Sequence, residues 1–268
     1  MVRDLKEDRE RLLRFGQGDS PVILTVPHGG TTPIPGIDGR RGDPNIPGDW
    51  EYFTDMDVNT FQLGELVRAR MAKHEVIPFT VITMASRRDL DINRSWDHNL
   101  RGYEAAGVPE DGIRRAKRVF DGFHDTIAEY IGDIRERFGP NLVENAFLID
   151  LHGTHLASDA QIELGTLHGV SAKLELVYPV AYTVPTLWDA FAKAGFRLSG
   201  EPVPEGEDLE GCFVSAHHGR KNPGGLNAVL VEVDISLRQE EELPRTAARI
   251  GDVLAGSVRA AILRADDV

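Results

Sequence analysis

The sequence predicts an α/β fold: a single three-layer domain in which a mixed, mostly parallel sheet carries helices on both faces. Three observations lead there. The chain has 268 residues, with no repeat, low-complexity tract or linker to divide it, so residues 1–268 read as one domain. Short apolar runs bounded by glycine or polar residues recur along it, as expected of strands covered on both sides. Between them lie stretches with apolar residues at helical spacing, and alternation of strand and helix builds such a sheet.

The elements follow in order. "PVILTVP" (21–27) is the first strand. Residues 55–73 place Val58, Phe61, Leu66 and Val67 at helical spacing, and "HEVIPFTVITM" (74–84) is the next strand. The helix 111–137 is the clearest, with Ile113, Phe120, Phe123, Ile127, Tyr130 and Ile134 recurring every third or fourth position. "AFLIDL" (146–151) is a strand, 186–195 a short helix stopped by Gly195, and "NAVLVEVDIS" (227–236) a strand. Pro244 suits the first turn of a last helix, with Ile250, Val253, Leu254, Val258 and Ala261 on one side. Residues 30–50 are rich in Gly and Pro and long for a plain connection, which predicts a loop over a site.

Composition excludes several function classes. A net charge of −13 argues against nucleic-acid binding through a broad basic surface. An acidic substrate would need a local cluster of arginines. The lone Cys212 forms no disulfide within the chain and leaves no thiolate cluster for a metal; it suits a reducing cytosol. The charged start "MVRDLKEDRERLLRF" has no apolar signal core, and no apolar run of about 18 residues exists to span a membrane. A cytoplasmic location is the expectation.

Two motifs carry the chemistry. "LTVPHGG" and "FLIDLHG" each put a histidine at the end of an apolar run with glycine after it. In α/β sheets ligands gather beyond the carboxyl ends of the strands. His28 and His152 are therefore the expected metal ligands; two imidazoles, one carboxylate and a water make a catalytic zinc site with an open position. The same nitrogen and oxygen donors also suit manganese, iron or cobalt. The third ligand is open between Asp55, Asp57 and Glu51. Thr54 and Asp57 resemble a capping box, which gives Asp57 a structural task and makes Asp55 the choice. Glu232 interrupts an apolar strand, and a carboxylate there is costly unless paired or used. Burial raises its pKa, as a general base and acid requires. "SRRDLDINRSWDHN" (86–99) gathers Arg87, Arg88 and Arg94 in an otherwise acidic chain, a predicted pocket for an anionic substrate. His124 reads as a core histidine on its helix; His218 and Arg220, in "VSAHHGRKNPGG", are candidates to face substrate.

With those residues in place, "VPHGG", "RRDLDINR", "FLIDLHG", "IELGT" and "AVLVEVDIS" follow the order seen in the N-formylglutamate amidohydrolase family, which this chain resembles from about residue 20 to 238. The resemblance implies a zinc-carboxypeptidase-like α/β fold and hydrolysis of N-formyl-L-glutamate to formate and glutamate. It implies zinc on His28, His152 and an acidic residue near Asp55, with Glu232 as base. Asn93 and Arg94 match the pair with which related carboxypeptidases grip a substrate carboxylate. Where the family's first motif usually has serine after the histidine, this chain has Gly29. The expected reaction is metal-assisted amide hydrolysis, with an arginine (Arg88) helping to stabilise the oxyanion and Arg88 or Arg94 holding the carboxylate of a small anionic N-acyl amino acid. Rival readings are a metallopeptidase or deacylase of another N-acyl amino acid or dipeptide, and a relative that only binds an amino acid.

Overall fold

β2 (Val22–Val26), buried throughout, lies in the interior of the sheet, and its alternation sorts the two cores. In this computed structural model, which describes residues 11–41, 56–155, 159–179, 185–199 and 212–266, seven strands form one sheet. The others are β1 (Leu13–Gly16), β3 (Phe79–Thr83), β4 (Phe147–Thr154), β5 (Ile162–Gly165), β6 (Leu198–Ser199) and β7 (Asn227–Asp234). Their order is β1-β3-β2-β4-β7-β5-β6. The four central strands β3, β2, β4 and β7 are parallel; β1 and β5 pair antiparallel with β3 and β7, and β6 is parallel to β5.

Helices cover both faces. Val22, Leu24 and Val26 pack with Leu63, Val67 and Met71 of α1 (Thr60–Ala72), and with residues of the last helix (Leu243–Asp266) such as Ile250 and Val258. Ile23, Phe79 and Leu148 face the opposite core, where α3 (Glu110–Arg137) brings Phe123, Ile127 and Ile134, behind α2 (Trp96–Ala106). Burying each such side chain stabilises the fold by roughly 1.5–3 kcal/mol. The two apolar clusters therefore hold the sheet, which leaves its carboxyl edge able to carry buried charge.

The strands and long helices fall where the sequence puts them; β2, β3 and β7 are shorter than expected, whereas β4 runs on past Leu151 to Thr154, so that His152 lies within it. α4 (Leu187–Lys193), with its Thr186–Asp189 capping box, lies within the predicted 186–195 helix; β1, β5, β6, α2 and α5 (Phe213–His218) are additions. α1 begins at Thr60 rather than 55, after Asn59 in a left-handed conformation (φ 61°). Asp55, Glu51 and Thr54 lie outside the described residues, as do 42–50 of the predicted covering loop. The described part of that loop is pinned onto the arginine-rich segment: Thr32 bridges Ala85, the Ile34 N–H donates to Asp89 Oδ2, and the Arg40 N–H to the Arg88 carbonyl.

Candidate metal centre

β2 and β4 are parallel neighbours, so the residues at their carboxyl ends meet. His28 and His152 have ring centroids 4.8 Å apart, set edge to face at 74°. Asp57 comes between them: its Oδ2 is 3.5 Å from His28 Nδ1 and 3.4 Å from His152 Nδ1. One donor atom from each of the three lies within 4.8 Å of the others, the one such cluster of potential ligands among the described residues. All three are buried. Asp57 is the carboxylate that the capping-box reading set aside. It precedes α1 instead of lying in its first turn; its N–H donates to the His28 carbonyl, and its Oδ2 accepts from the Gly153 N–H at 3.0 Å. The left-handed turn at Asn59 then sends the chain away into the helix.

A second layer orients these groups. His28 Nε2 lies 2.6 Å from Asp91 Oδ1, so that nitrogen is engaged and Nδ1 faces the cluster. The buried His28 Nδ1 has no hydrogen-bond partner, an orphaned ligand atom that a divalent ion would satisfy. Nitrogen and oxygen donors with backing carboxylates fit zinc or another divalent ion. Arg87 donates to Asp91 Oδ2 at 3.0 Å and to Asp57 Oδ1 at 3.3 Å. On the other side, His152 Nε2 is 3.1 Å from Asp150 Oδ2, and Thr25 donates to Asp150 Oδ1 at 2.7 Å. Glu232 stands in register with His152 on β7, and its Oε2 is shielded from solvent without a hydrogen-bond partner.

The electrostatics match this layout. Burial pushes the Asp57 carboxyl up, but the His28 charge and the close approach of both imidazoles together hold it far below the usual carboxylate range. Burial also opposes ionisation of Asp91, and the charges of His28 and Arg87 outweigh it. For His152 burial favours the neutral ring, yet the adjacent Asp150, then Asp57, raise it well above an ordinary histidine. Glu232 goes the other way from Asp57: burial lifts its pKa, with the Asp57 charge adding to the lift and His152 opposing it.

The remaining expected residues are spread out. Asn93 supports the centre rather than opening to a substrate: its Nδ2 lies 3.3 Å from His152 Nε2 and its Oδ1 accepts from the Val214 N–H. Arg94 lies alongside; its charge, like those of His152, Asp150 and Glu232, acts on the Cys212 thiol, which burial pushes up to about 11. Arg88 is exposed and paired with Asp38, so Arg87 is the arginine that reaches the cluster. His218 is buried behind it, with Nε2 2.9 Å from His124 Nδ1, and His124 Nε2 donates to the Ile92 carbonyl. Arg220 is not brought to the cluster: its N–H donates to the Ser171 carbonyl, which also holds Ala228 at the amino end of β7.

Two contributors have packing roles that the sequence does not assign. Arg238, 2% exposed, donates Nε to the Val233 carbonyl, Nη2 to the Thr154 carbonyl and Nη1 to the Val58 carbonyl. It thus ties the chain beside Asp57 to the ends of β4 and β7. Gly153 makes room for it, since a Cβ there would fall 2.4 Å from the Arg238 Cζ. Nothing in the sequence separates this arginine from those of the surface. Gly29 is the other: a Cβ there would fall 2.3 Å from the Phe61 nitrogen, so α1 packs directly against the backbone after His28.

Residues 20–237 match the sequence profile of a family described as N-formylglutamate amidohydrolase. An N-formylglutamate deformylase of Pseudomonas aeruginosa is 25% identical over 223 residues, spanning 72% of this chain and 80% of that one. Solved structures share the fold. An N-formylglutamate amidohydrolase from Ralstonia eutropha JMP134 superposes with TM-score 0.64 at 16% identity, over 96% of this chain and 100% of that one. Gene product Atu2144 of Agrobacterium tumefaciens does so with TM-score 0.63 at 14% identity, over 98% of each.

Proposed function

The chain belongs to the N-formylglutamate amidohydrolase family, and from that premise we propose that it is a metal-dependent hydrolase of N-acyl amino acids, its substrate N-formyl-L-glutamate and its products formate and L-glutamate. The observation that carries the metal dependence is the buried, unpartnered Nδ1 of His28, directed at Asp57 beside His152. His28, Asp57 and His152 would hold the ion, with Asp91 and Asp150 fixing the two imidazoles. Zinc in such a ligand set supplies a Lewis acid that polarises a carbonyl and lowers the pKa of water to about 7.

The chain's own residues do the rest. Glu232, its pKa lifted by burial, takes a proton from the water attacking the formyl carbon and delivers it to the amine nitrogen as the C–N bond breaks. Arg94 binds a substrate carboxylate and so fixes the scissile amide over the centre. Arg94 directly follows Asn93, whose amide lies 3.3 Å from His152, so its backbone is placed beside the centre.

The test is metal analysis of the purified protein together with release of the free amino acid from a panel of N-formyl, N-acetyl and N-succinyl amino acids. The reading expects one divalent ion per chain and highest kcat/KM on N-formylglutamate. Equal rates on acidic and neutral side chains would reject the glutamate assignment, and binding without turnover in the metal-loaded protein would reject the hydrolase.

A further inference from the structure

The segment around Arg220 leaves the catalytic edge and builds something at the opposite one. Ala228, held with Arg220 by the Ser171 carbonyl, lies four residues before Glu232 on β7, roughly 13 Å away along an extended strand. There a cavity of about 500 Å³ opens between the end of α3, the turn before β4 and the 219–225 loop. Arg135, Arg220 and Lys221 line it, with Glu144 and the backbone at Gly169, Gly224 and Gly225. The cavity shares Arg135, Asn222, Gly224 and Gly225 with a neighbouring one of about 420 Å³, bounded by His124 and His218.

We propose that this amino-edge cavity is a binding site for a small organic polyanion bearing phosphate or several carboxylates, separate from the catalytic centre.

The argument is one of unmatched charge. The protein carries a net charge of −13, so a cluster of three cations on it runs against the whole-molecule field. Among the described residues no carboxylate comes within ion-pair distance of the Arg135, Arg220 or Lys221 side chains. The one acid in the wall, Glu144, is already taken by Lys173 at 2.7 Å. Lys173 holds the Glu144 carboxyl below its ordinary range, and the charges of Arg220 and Arg135 reach the same point. Guanidinium forks match phosphate and carboxylate oxygens in pairs, and the volume lies within the range of small-ligand sites. The backbone is shaped for the purpose. Gly224, at φ +85°, sits where a Cβ would press on the Arg135 Nη1. The opposite wall ends a run of three left-handed residues, Leu167, His168 and Gly169 (φ 50°, 58° and 79°), strain of a kind kept at binding sites.

Calorimetric titration of the full chain with pyrophosphate and, separately, with a simple tricarboxylate tests this. The expected result is one ion per chain, with affinity at least tenfold weaker in the R220A/K221A variant and unchanged in D57N. Tighter pyrophosphate binding would mark a phosphorylated ligand, and tighter tricarboxylate binding a carboxylate one. Should the double variant melt early, R220Q is expected to weaken binding several-fold with an unaltered melting curve. No saturable binding of either probe at millimolar concentration would overturn the proposal. So would binding that R220A/K221A leaves intact, or that D57N abolishes, which would put the anion in the catalytic centre. None of these readouts depends on turnover.

Discussion

His28 Nε2 and Asp91 Oδ1 lie 2.6 Å apart, both buried, and that contact decides which ring nitrogen of His28 faces Asp57. Backing carboxylates of this kind typically contribute 10–100-fold to metal affinity. Asp91→Asn is expected to weaken metal binding by about that factor in chelator competition. An unchanged affinity would take Asp91 out of the site.

Asp57 and Asp55 are separable by metal content. Asp57→Ala is expected to yield protein with less than a tenth of the wild-type metal on mass-spectrometric analysis, because it removes the oxygen between the two imidazoles. Asp55→Ala is expected to retain its ion. The reverse pattern would restore Asp55 as the ligand.

Glu232→Gln keeps size and shape while removing the proton acceptor. It is expected to keep the metal and lose at least about a hundredfold in kcat, the usual scale for an acid–base group. Near-normal turnover would remove Glu232 from the reaction.

Metal binding is expected to tighten as pH rises. Without an ion, His152 is held protonated above the ordinary histidine range by Asp150 and Asp57, and the ion must displace that proton. Affinity should fall about tenfold per pH unit as pH drops below the His152 titration. Calorimetry in buffers of different ionisation enthalpy should detect about one proton released per ion.

Acid stability has a different source. Burial lowers His124 to about 3 and His218 to about 2. The unfolded chain protonates both as pH falls through about 6.5, whereas the folded chain does not until far lower. Their contribution is thus complete above pH ~6.5 and is lost below it, by about 1.4 kcal/mol per pH unit for each histidine. His218→Gln should flatten the loss between pH 6 and pH 4 relative to wild type in urea denaturation; an identical slope would contradict a neutral His218.

The sequence discloses the parallel core because Val22–Val26 and Phe147–Leu151 are buried on both faces and so read as unbroken apolar runs. The same runs point at His28 and His152. Other features depend on geometry that local pattern does not encode. Asp57 looked like a helix cap because Asn59 hides a left-handed turn that delays the helix. Arg87 and Arg88 are indistinguishable as letters; the turn after β3 aims one at Asp91 and the other at solvent. α5 has no signature in the sequence pattern, and after it the chain runs to the amino end of β7, where the Arg220 N–H meets the Ser171 carbonyl. β5 alternates over only four residues, too few to set against the longer runs around it.

The bare backbone at Gly29 bears on how this chain can be re-engineered. Phe61 occupies the space that a serine hydroxymethyl would need. Transplanting the commoner motif from other members is therefore not a one-letter exchange: the start of the neighbouring helix would have to retreat, carrying Asp57 with it. Swaps at position 29 belong together with compensating changes across 57–61, screened as a block.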